Sequence, residues 1–334
     1  MKRVAKKIPA KKRLGSFYQQ FANDDDVLIL INADPDAIAS ALAVKRLLWH
    51  RVARVTIANA NVIKRPDNLA MIRLTGANLT HIDQIDGADF TRIVMVDSQP
   101  DHLEAFADFD VSVIIDHHPV TDAQAAFSDI RPTYGATASI LTEYLRAAKI
   151  KPSAKLATAL LHAIKTDTAN FVRQTRMEDI RAFQFLFRLA NMHLAWKMEH
   201  ADMQIGFLAY FKSALAHMQL RKNRIFVYLG DVETPDVCVL IADFFMHVNK
   251  VGWSIVAGSY GDKLVVIFRN DGVRKNAGTV AKQSFGHLGS AGGHKSMARA
   301  EIDLDALDIS NQVRKREKIQ RWIIKSIEKR AGKK

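Results

Sequence analysis

Four short stretches of this 334-residue chain put carboxylates and imidazoles where apolar runs stop. INADPDAIAS holds Asp34 and Asp36, VMVDSQP holds Asp97, VSVIIDHHPV holds Asp116, His117 and His118, and IKTDTANF holds Asp167. Each alone has a plain explanation. An aspartate after a strand commonly caps the next helix, and a single histidine is more often a satisfied core or surface group than a ligand. Gathered at one sheet edge they do not reduce to capping, because packed carboxylates repel and raise each other's pKa. One or two divalent cations remove that cost. An oxygen-rich set with one or two imidazoles suits Mn2+ or Mg2+ better than zinc, which favours sulfur and nitrogen. Two such ions can clamp the attacking and leaving oxygens of a phosphoryl group and lower the pKa of a water between them. The chemistry this points to is metal-assisted phosphoester hydrolysis.

The elements that must position these residues read as an α/β sheet. VLILIN (27–32), RVTIAN (54–59), RIVMVD (92–97) and VSVIID (111–116) are apolar almost throughout. AIASALAVKRLLWHRV (37–52), PDNLAMIRLTG (66–76), GATASILTEYLRAAK (135–149) and SAKLATALLHAIKTD (153–167) read as helices. Apolar strands alternating with helices predict a parallel sheet with helices on both faces. Ligands of such sheets bind outside the carboxyl ends of the strands. Asp34, Asp36, Asp97 and the 116–118 triplet fall there, and Asp167 ends a helix that can reach the same edge.

Residues 178–220 read as a mostly helical connector. A smaller α/β unit follows, with strands RIFVYL (224–229), GWSIVAGSY (252–260) and KLVVIFRN (263–270), the last two joined at Gly261-Asp262. The glycine-rich GHLGSAGGHKS (286–296) comes next, and the tail from Ser310 reads as a basic helix. The chain therefore divides at 1–185, 186–220 and 221–334.

Composition narrows the partners. Hydrophobic residues make up 48% and charged residues 25%, a globular balance with no eighteen-residue apolar run for a membrane span. MKRVAKKIPAKKRLG is basic but lacks the apolar segment of a secretory signal. The single cysteine, Cys238, excludes an intramolecular disulfide and fits a reducing cytoplasm. The net charge of +13, much of it at the two ends, favours polyanionic partners. The plainer reading makes the two ends solvated tails.

The motifs resemble the DHH phosphoesterase superfamily over nearly the whole chain. DPDAIAS, VDSQP, IDHHP and TDTANF are similar to its four metal-site motifs in order, and GSAGGHKS is similar to the GGH motif of its accessory DHHA1 domain. The resemblance implies a DHH catalytic domain over 1–185, a connector over 186–220 and a substrate-binding DHHA1 domain over 221–334. It implies that Asp34 holds one Mn2+ and Asp36 the other, that Asp97 bridges them, and that His117 and Asp167 complete the second site. Mg2+ is the alternative ion. Asp116 would fix a histidine's tautomer, and His118 would face the scissile phosphate. Arg269 with Gly292, Gly293 and His294 would bind the substrate's phosphate, the glycines forming a backbone nest.

Four positions depart from the family pattern. Leu30 stands where many members have a histidine ligand, and Asn32 where RecJ-like members have an aspartate. Ala169 also replaces a usual glycine, and Asn270 a frequent serine. The layout is most similar to the NrnA-like branch. That implies hydrolysis of short RNA to mononucleotides and removal of the 3′-phosphate of adenosine 3′,5′-bisphosphate, by metal-activated water. Related proteins often dimerise, which implies a homodimer. The alternatives are a RecJ-like single-strand exonuclease, or a non-catalytic nucleic-acid-binding protein with a degenerate metal site.

Other ionisable and soft residues take plain readings. His50, His81, His102 and His162 read as surface or core, and Met192, Met198 and Met203 as packing. Cys238 reads as a small core residue. Arg131, Arg173 and Arg176 lie near the motifs without a ranked role.

Overall fold

The computed structural model describes residues 9–200, 205–273, 275–306 and 315–331. The chain divides into two compact units, Met1–Asp202 and Met203–Lys334. Strands β1 (Asp26–Ile31), β2 (Arg54–Asn59), β3 (Thr80–His81), β4 (Arg92–Val96), β5 (Val113–Asp116) and β6 (Phe127–Ile130) form the sheet of the first unit. Their order is β3-β2-β1-β4-β5-β6, with every neighbouring pair parallel. The order reverses between β1 and β4, so the connections leaving those strands diverge and open a crevice at their carboxyl ends.

β1 explains why the strand sequences lack alternation. Val27, Ile29 and Ile31 pack into one buried cluster, while Leu28 and Leu30 pack into another on the opposite face. The first cluster is closed by α1 (Ala10–Tyr18), α2 (Pro35–Leu47), α3 (Pro66–Thr75), α4 (Thr137–Ala147), α5 (Ala154–Asp167), α6 (Met177–Phe187) and α7 (Met192–Glu199). Helices were expected on both faces. On the second face Ile82 and Phe106 lie in short 3-10 turns, and with Val111 they cover Leu28, Leu30, Met95 and Ile114. The connections there hold Pro100 and no apolar run long enough for an α-helix.

Local signals set the helix ends. Pro35 and Pro66 open α2 and α3, where a missing N–H costs nothing. Ser153 caps α5, and Gly76 ends α3 at φ +75°.

The second unit is a mixed sheet of β7 (Gln219–Arg221), β8 (Arg224–Asp231), β9 (Trp253–Tyr260), β10 (Lys263–Asn270), β11 (Gly289–Gly293) and β12 (Met297–Asp303). The order is β11-β12-β10-β9-β8-β7, with β8 and β9 parallel and the other pairs antiparallel. Helices α8 (Phe207–His217) and α9 (Pro235–Phe245) bury one face against Val227, Val256 and Ile267. Helices α10 (Ala277–Phe285) and α11 (Lys315–Ala331) bury the other.

The span expected as a connector is shared between the units. α7 joins the first core through Ala195 and Met198, and α8 joins the second through Phe207 and Ala214. The basic C-terminal stretch is not a solvated tail where it is described. Ile319, Ile323, Ile324 and Ile327 of α11 are buried in the second unit's core, on one helical stripe. The arm residues Lys2 to Lys7 lie outside the described residues. Among the described residues, no helix is long and apolar enough to cross a membrane.

The loop after α5 gives a physical meaning to Ala169. Ala169, Asn170 and Phe171 have φ of +46°, +55° and +67°, a left-handed turn directly after Asp167. An L-residue with a Cβ in that region costs roughly 1–2 kcal/mol, and glycine does not. We therefore expect Ala169→Gly to raise the unfolding free energy by about 0.5–1 kcal/mol in urea titrations. A loss of stability would show that the alanine methyl group matters more than the backbone conformation.

Candidate metal centre

The first acidic pair sits where β1 hands over to α2. Asp34 is the N-cap of α2, its Oδ1 accepting the Ala37 N–H at 2.9 Å. The residue before it is clamped by a side chain the sequence did not single out. Asn61 accepts the Ala33 N–H at 2.7 Å and donates to the Ala33 carbonyl at 2.9 Å. Asp36 is fully buried and caps a different helix. Its two oxygens accept the first N–H groups of α4, from Thr137 at 2.7 Å and Ala138 at 2.8 Å. Thr137 Oγ1 donates in turn to Asp97 Oδ1 at 2.7 Å. One threonine at a helix N-terminus therefore fixes both aspartates.

Asp97 follows β4 in the left-handed region, with φ +58°. Aspartate is one of the few residues that visit that region. Its N–H donates to the Ile115 carbonyl at 2.9 Å, which pulls the residue toward β5.

Asp116 ends β5 and is fully buried. Its Oδ1 accepts the His117 N–H at 2.8 Å and lies 2.8 Å from His118 Nδ1. Its Oδ2 accepts Gln99 Nε2 at 2.7 Å. Gln99 is also fully buried, donates to the Pro119 carbonyl at 2.9 Å and accepts the Thr121 N–H at 2.8 Å. It thereby ties the DHH turn to the strand-end loop after β4. The histidine that Asp116 orients is His118, while His117 is held otherwise. His117 Nδ1 lies 3.3 Å from the Tyr134 carbonyl, which can only accept, so that nitrogen carries a hydrogen.

His117 Nε2 is the telling atom. It is buried and has no hydrogen-bond partner. Three carboxylate oxygens surround it, Asp167 Oδ2 at 3.2 Å, Asp97 Oδ1 at 3.5 Å and Asp36 Oδ2 at 3.9 Å. Asp167 arrives from the last residue of α5.

The electrostatics show what the arrangement costs without a cation. Burial, then the Asp167 charge, pushes Asp34 up to about 6 and Asp36 up to about 7. Burial and the charges of Asp36, Asp34 and Asp167 hold Asp97 well above the carboxylate range. Burial alone would lower His117, but the contact with Asp167 and the charge of Asp36 outweigh it and raise it to about 9. Asp116 behaves oppositely. Burial would raise it, but the His118 contact and the Gln99 hydrogen bond keep it below its ordinary value. It is a settled anion outside the strained group.

Asp34, Asp36, Asp97, His117 and Asp167 are thus mutual electrostatic neighbours. They offer hard oxygen donors and one imidazole nitrogen, a set that fits Mn2+ or Mg2+. Ligating atoms of Asp36, His117 and Asp167 lie within 4.8 Å of one another, as do those of Asp97, His117 and His118. An orphaned ring nitrogen facing carboxylates is what a cation would satisfy. Leu30 is buried in the core cluster behind the site, and Asn32 is exposed.

The residues expected to bind phosphate belong to the second unit. Arg269, near the end of β10, donates Nε to Asp243 Oδ1 at 2.6 Å. Gly292 and Gly293 pair with Arg299 and Ala298 across β11 and β12, and the His294 N–H donates to the Met297 carbonyl at 2.8 Å. These glycines lie in β11, an exposed edge strand paired on one side with β12. A nearby glycine has another use. A Cβ on Gly278 would meet the Gly293 carbonyl oxygen at 2.2 Å, so the first turn of α10 packs directly on the strand.

Three of the plainly read residues are also placed. Arg131 is buried between Asp129 and Glu143, with Nη2 and Nη1 contacts of 2.7 and 2.6 Å, and is committed to structure. His162 is buried in α5 with neither ring nitrogen bonded. His102, read as surface or core, packs its ring 5.4 Å from that of His118.

Residues 26–164 match the DHH family, N-terminal domain. The first unit is a DHH-family domain. An uncharacterized protein of Methanocaldococcus jannaschii is 33% identical over 279 residues, covering 83% of this chain and 58% of that protein. A probable manganese-dependent inorganic pyrophosphatase of Deinococcus radiodurans is 27% identical over 173 residues, 49% of this chain and 53% of that protein. This chain thus spans less than two thirds of the length of either. The crystal structure of an exopolyphosphatase-related protein from Bacteroides fragilis shares the fold, with TM-score 0.75 and 15% identity over 97% of this chain and 98% of that one.

Protons and a cation compete for the same atoms in the DHH unit. The raised pKa values keep protons on His117, Asp36 and Asp97 that a cation would displace. Mn2+ binding should therefore release protons near pH 7 and strengthen as pH rises from 5 toward 9. Calorimetry in buffers of differing ionisation enthalpy measures the release. A binding heat independent of the buffer would contradict ligation by these groups.

Proposed function

We propose that the DHH unit is a divalent-cation-dependent phosphoesterase that degrades short oligoribonucleotides to mononucleotides. Removal of the 3′-phosphate of adenosine 3′,5′-bisphosphate is a second activity of the same centre. The observation that carries the reading is the buried His117 Nε2, set among Asp36, Asp97 and Asp167 without a hydrogen bond. With Asp34, these residues would hold two cations, Mn2+ in preference to Mg2+. The name of the Deinococcus relative supports manganese and phosphate chemistry.

Bound cations would lower the pKa of a water and neutralise charge on the phosphoryl group. The chain's own residues do the rest. Thr137 holds the Asp36 and Asp97 carboxylates in register. Asp116 fixes the Nδ1 side of His118, which leaves Nε2 to accept or return a proton at the reacting phosphate. Asp116 does this as a stable anion, so His118 keeps one orientation. The second unit, of DHHA1 type, would hold the nucleotide's phosphate through Arg269, Gly292, Gly293 and His294. The net charge of +13 draws in polyanionic substrates.

The test is hydrolysis of a 5′-labelled RNA dinucleotide, an RNA of roughly 20 nucleotides and inorganic pyrophosphate, each with Mn2+, Mg2+ or EDTA. The dinucleotide should be cleaved fastest and only with a divalent ion. Asp97→Asn should abolish turnover, and Asp116→Asn should lower it about 10- to 100-fold through misorientation of His118. Preference for the long strand would favour a RecJ-like exonuclease, and preference for pyrophosphate a pyrophosphatase. RNA binding without cleavage of any substrate would leave a nucleic-acid-binding role.

A further inference from the structure

We infer that His102 is a phosphate-contacting residue of the DHH centre, a second imidazole that acts beside His118 as a fixed hydrogen-bond donor. The assignment rests on the phosphoesterase reading of the site. His102 closes the 3-10 turn Pro100–His102, five residues after Asp97. Two groups meet its Nδ1. The Gln99 N–H lies 3.2 Å away and the Ser98 hydroxyl 3.2 Å away. A backbone N–H can only donate, so Nδ1 accepts and the ring hydrogen sits on Nε2.

His118 is held in the opposite sense. Its Nδ1 faces the Asp116 carboxylate, so Nδ1 carries hydrogen and Nε2 is the atom left over. The two rings meet edge to face, with centroids 5.4 Å apart and planes at 81°. Ligating atoms of His102, Asp116 and His118 lie within 4.8 Å of one another. The pair thus offers one imidazole whose open nitrogen exchanges a proton and one whose open nitrogen only donates.

Capping the turn does not explain the residue. A cap needs one acceptor near the backbone, which serine, aspartate or asparagine supplies with less bulk. The ring adds a second nitrogen, left without a capping role, on an exposed residue next to the residue read as facing the scissile phosphate. Asp116 already accepts from three donors, Gln99, the His117 N–H and His118, and no hydrogen bond joins it to His102. An exposed N–H beside His118 can donate to a bound phosphate oxygen in place of water, and a hydrogen bond to a charged oxygen is the stronger kind.

Three variants separate the roles of the two nitrogens and the ring. In H102N the side-chain oxygen replaces Nδ1 and keeps the cap. In H102Q the amide nitrogen reaches about as far as Nε2 and keeps the donor. H102F keeps the ring against His118 with neither nitrogen. The first readout is calorimetric binding of inorganic phosphate to the Mg2+-loaded full chain. The second is KM and kcat on the RNA dinucleotide with Mn2+.

H102N and H102F should weaken phosphate binding about tenfold and raise KM similarly, with kcat nearly unchanged, while H102Q stays within about threefold of wild type. Rescue by H102N but not H102Q would overturn the assignment in favour of capping. Wild-type behaviour of H102F would overturn it in favour of ring packing, and wild-type behaviour of all three would leave His102 no role. If wild type turns nothing over yet phosphate binding follows the expected order, the phosphoesterase reading fails and the His102 contact stands. If wild type binds no phosphate, the contact itself is refuted.

Discussion

Like charges gathered at one sheet edge, two of them buried and two half-buried, are the constraint on which the DHH unit turns. Asp34, Asp36, Asp97 and Asp167 meet where the parallel sheet reverses its strand order, and burial raises the first three above the ordinary carboxylate range. A fold does not bring such groups together cheaply, because desolvating a charge costs more than most contacts return. The surroundings are built to hold them anyway. Two helix N-terminal N–H groups of α4 point at Asp36, a threonine hydroxyl reaches Asp97, and a left-handed residue ends β4. Asp34, Asp36 and Asp97 accept defined hydrogen bonds, but His117 Nε2 makes none. That asymmetry separates a ligand set from a capping network.

The second carboxylate system is independent of the first. Asp116 lies below its ordinary pKa, saturated by Gln99, the His117 N–H and His118. It orients imidazoles and does not join the strained group. The two adjacent histidines therefore divide labour. His117 anchors on a carbonyl and turns toward the acids, while His118 anchors on Asp116. A strand that ends in Asp-His-His supplies an orienting anion and two differently held rings within three residues.

Much of this was legible in the sequence because strand ends and apolar runs are local. β1, β4 and β5 appear as runs of Val, Ile, Leu and Met, and the aspartates at or just after their ends mark the crevice. What was not legible depends on long-range contacts. Thr137 looks like an ordinary helix-start residue until Asp36, a hundred and one positions earlier, accepts its N–H. Asn61 gains meaning only because parallel pairing sets β2 beside β1. The glycine-rich stretch was legible as glycine but not as a strand. Its neighbours recruit it into β11 at the sheet edge, and Gly278 of α10 packs on the Gly293 backbone because it lacks a side chain. The C-terminal helix was read by its charges, although its isoleucine stripe carries the packing information. Ala169 is the instructive departure, since the φ of +46° shows why glycine would be easier there.

The central claim is that the buried acids and His117 are unfavourable alone and satisfied by a divalent cation. Melting of wild type and Asp97→Asn, in EDTA and in excess Mn2+, tests it most directly. The account predicts that Mn2+ raises the wild-type melting temperature, since it binds the folded state selectively. It also predicts that Asp97→Asn melts close to or above wild type in EDTA and gains little from Mn2+. A wild type indifferent to Mn2+, with an Asp97→Asn variant strongly destabilised in EDTA, would mean that the acids are structural caps and that the site binds no ion.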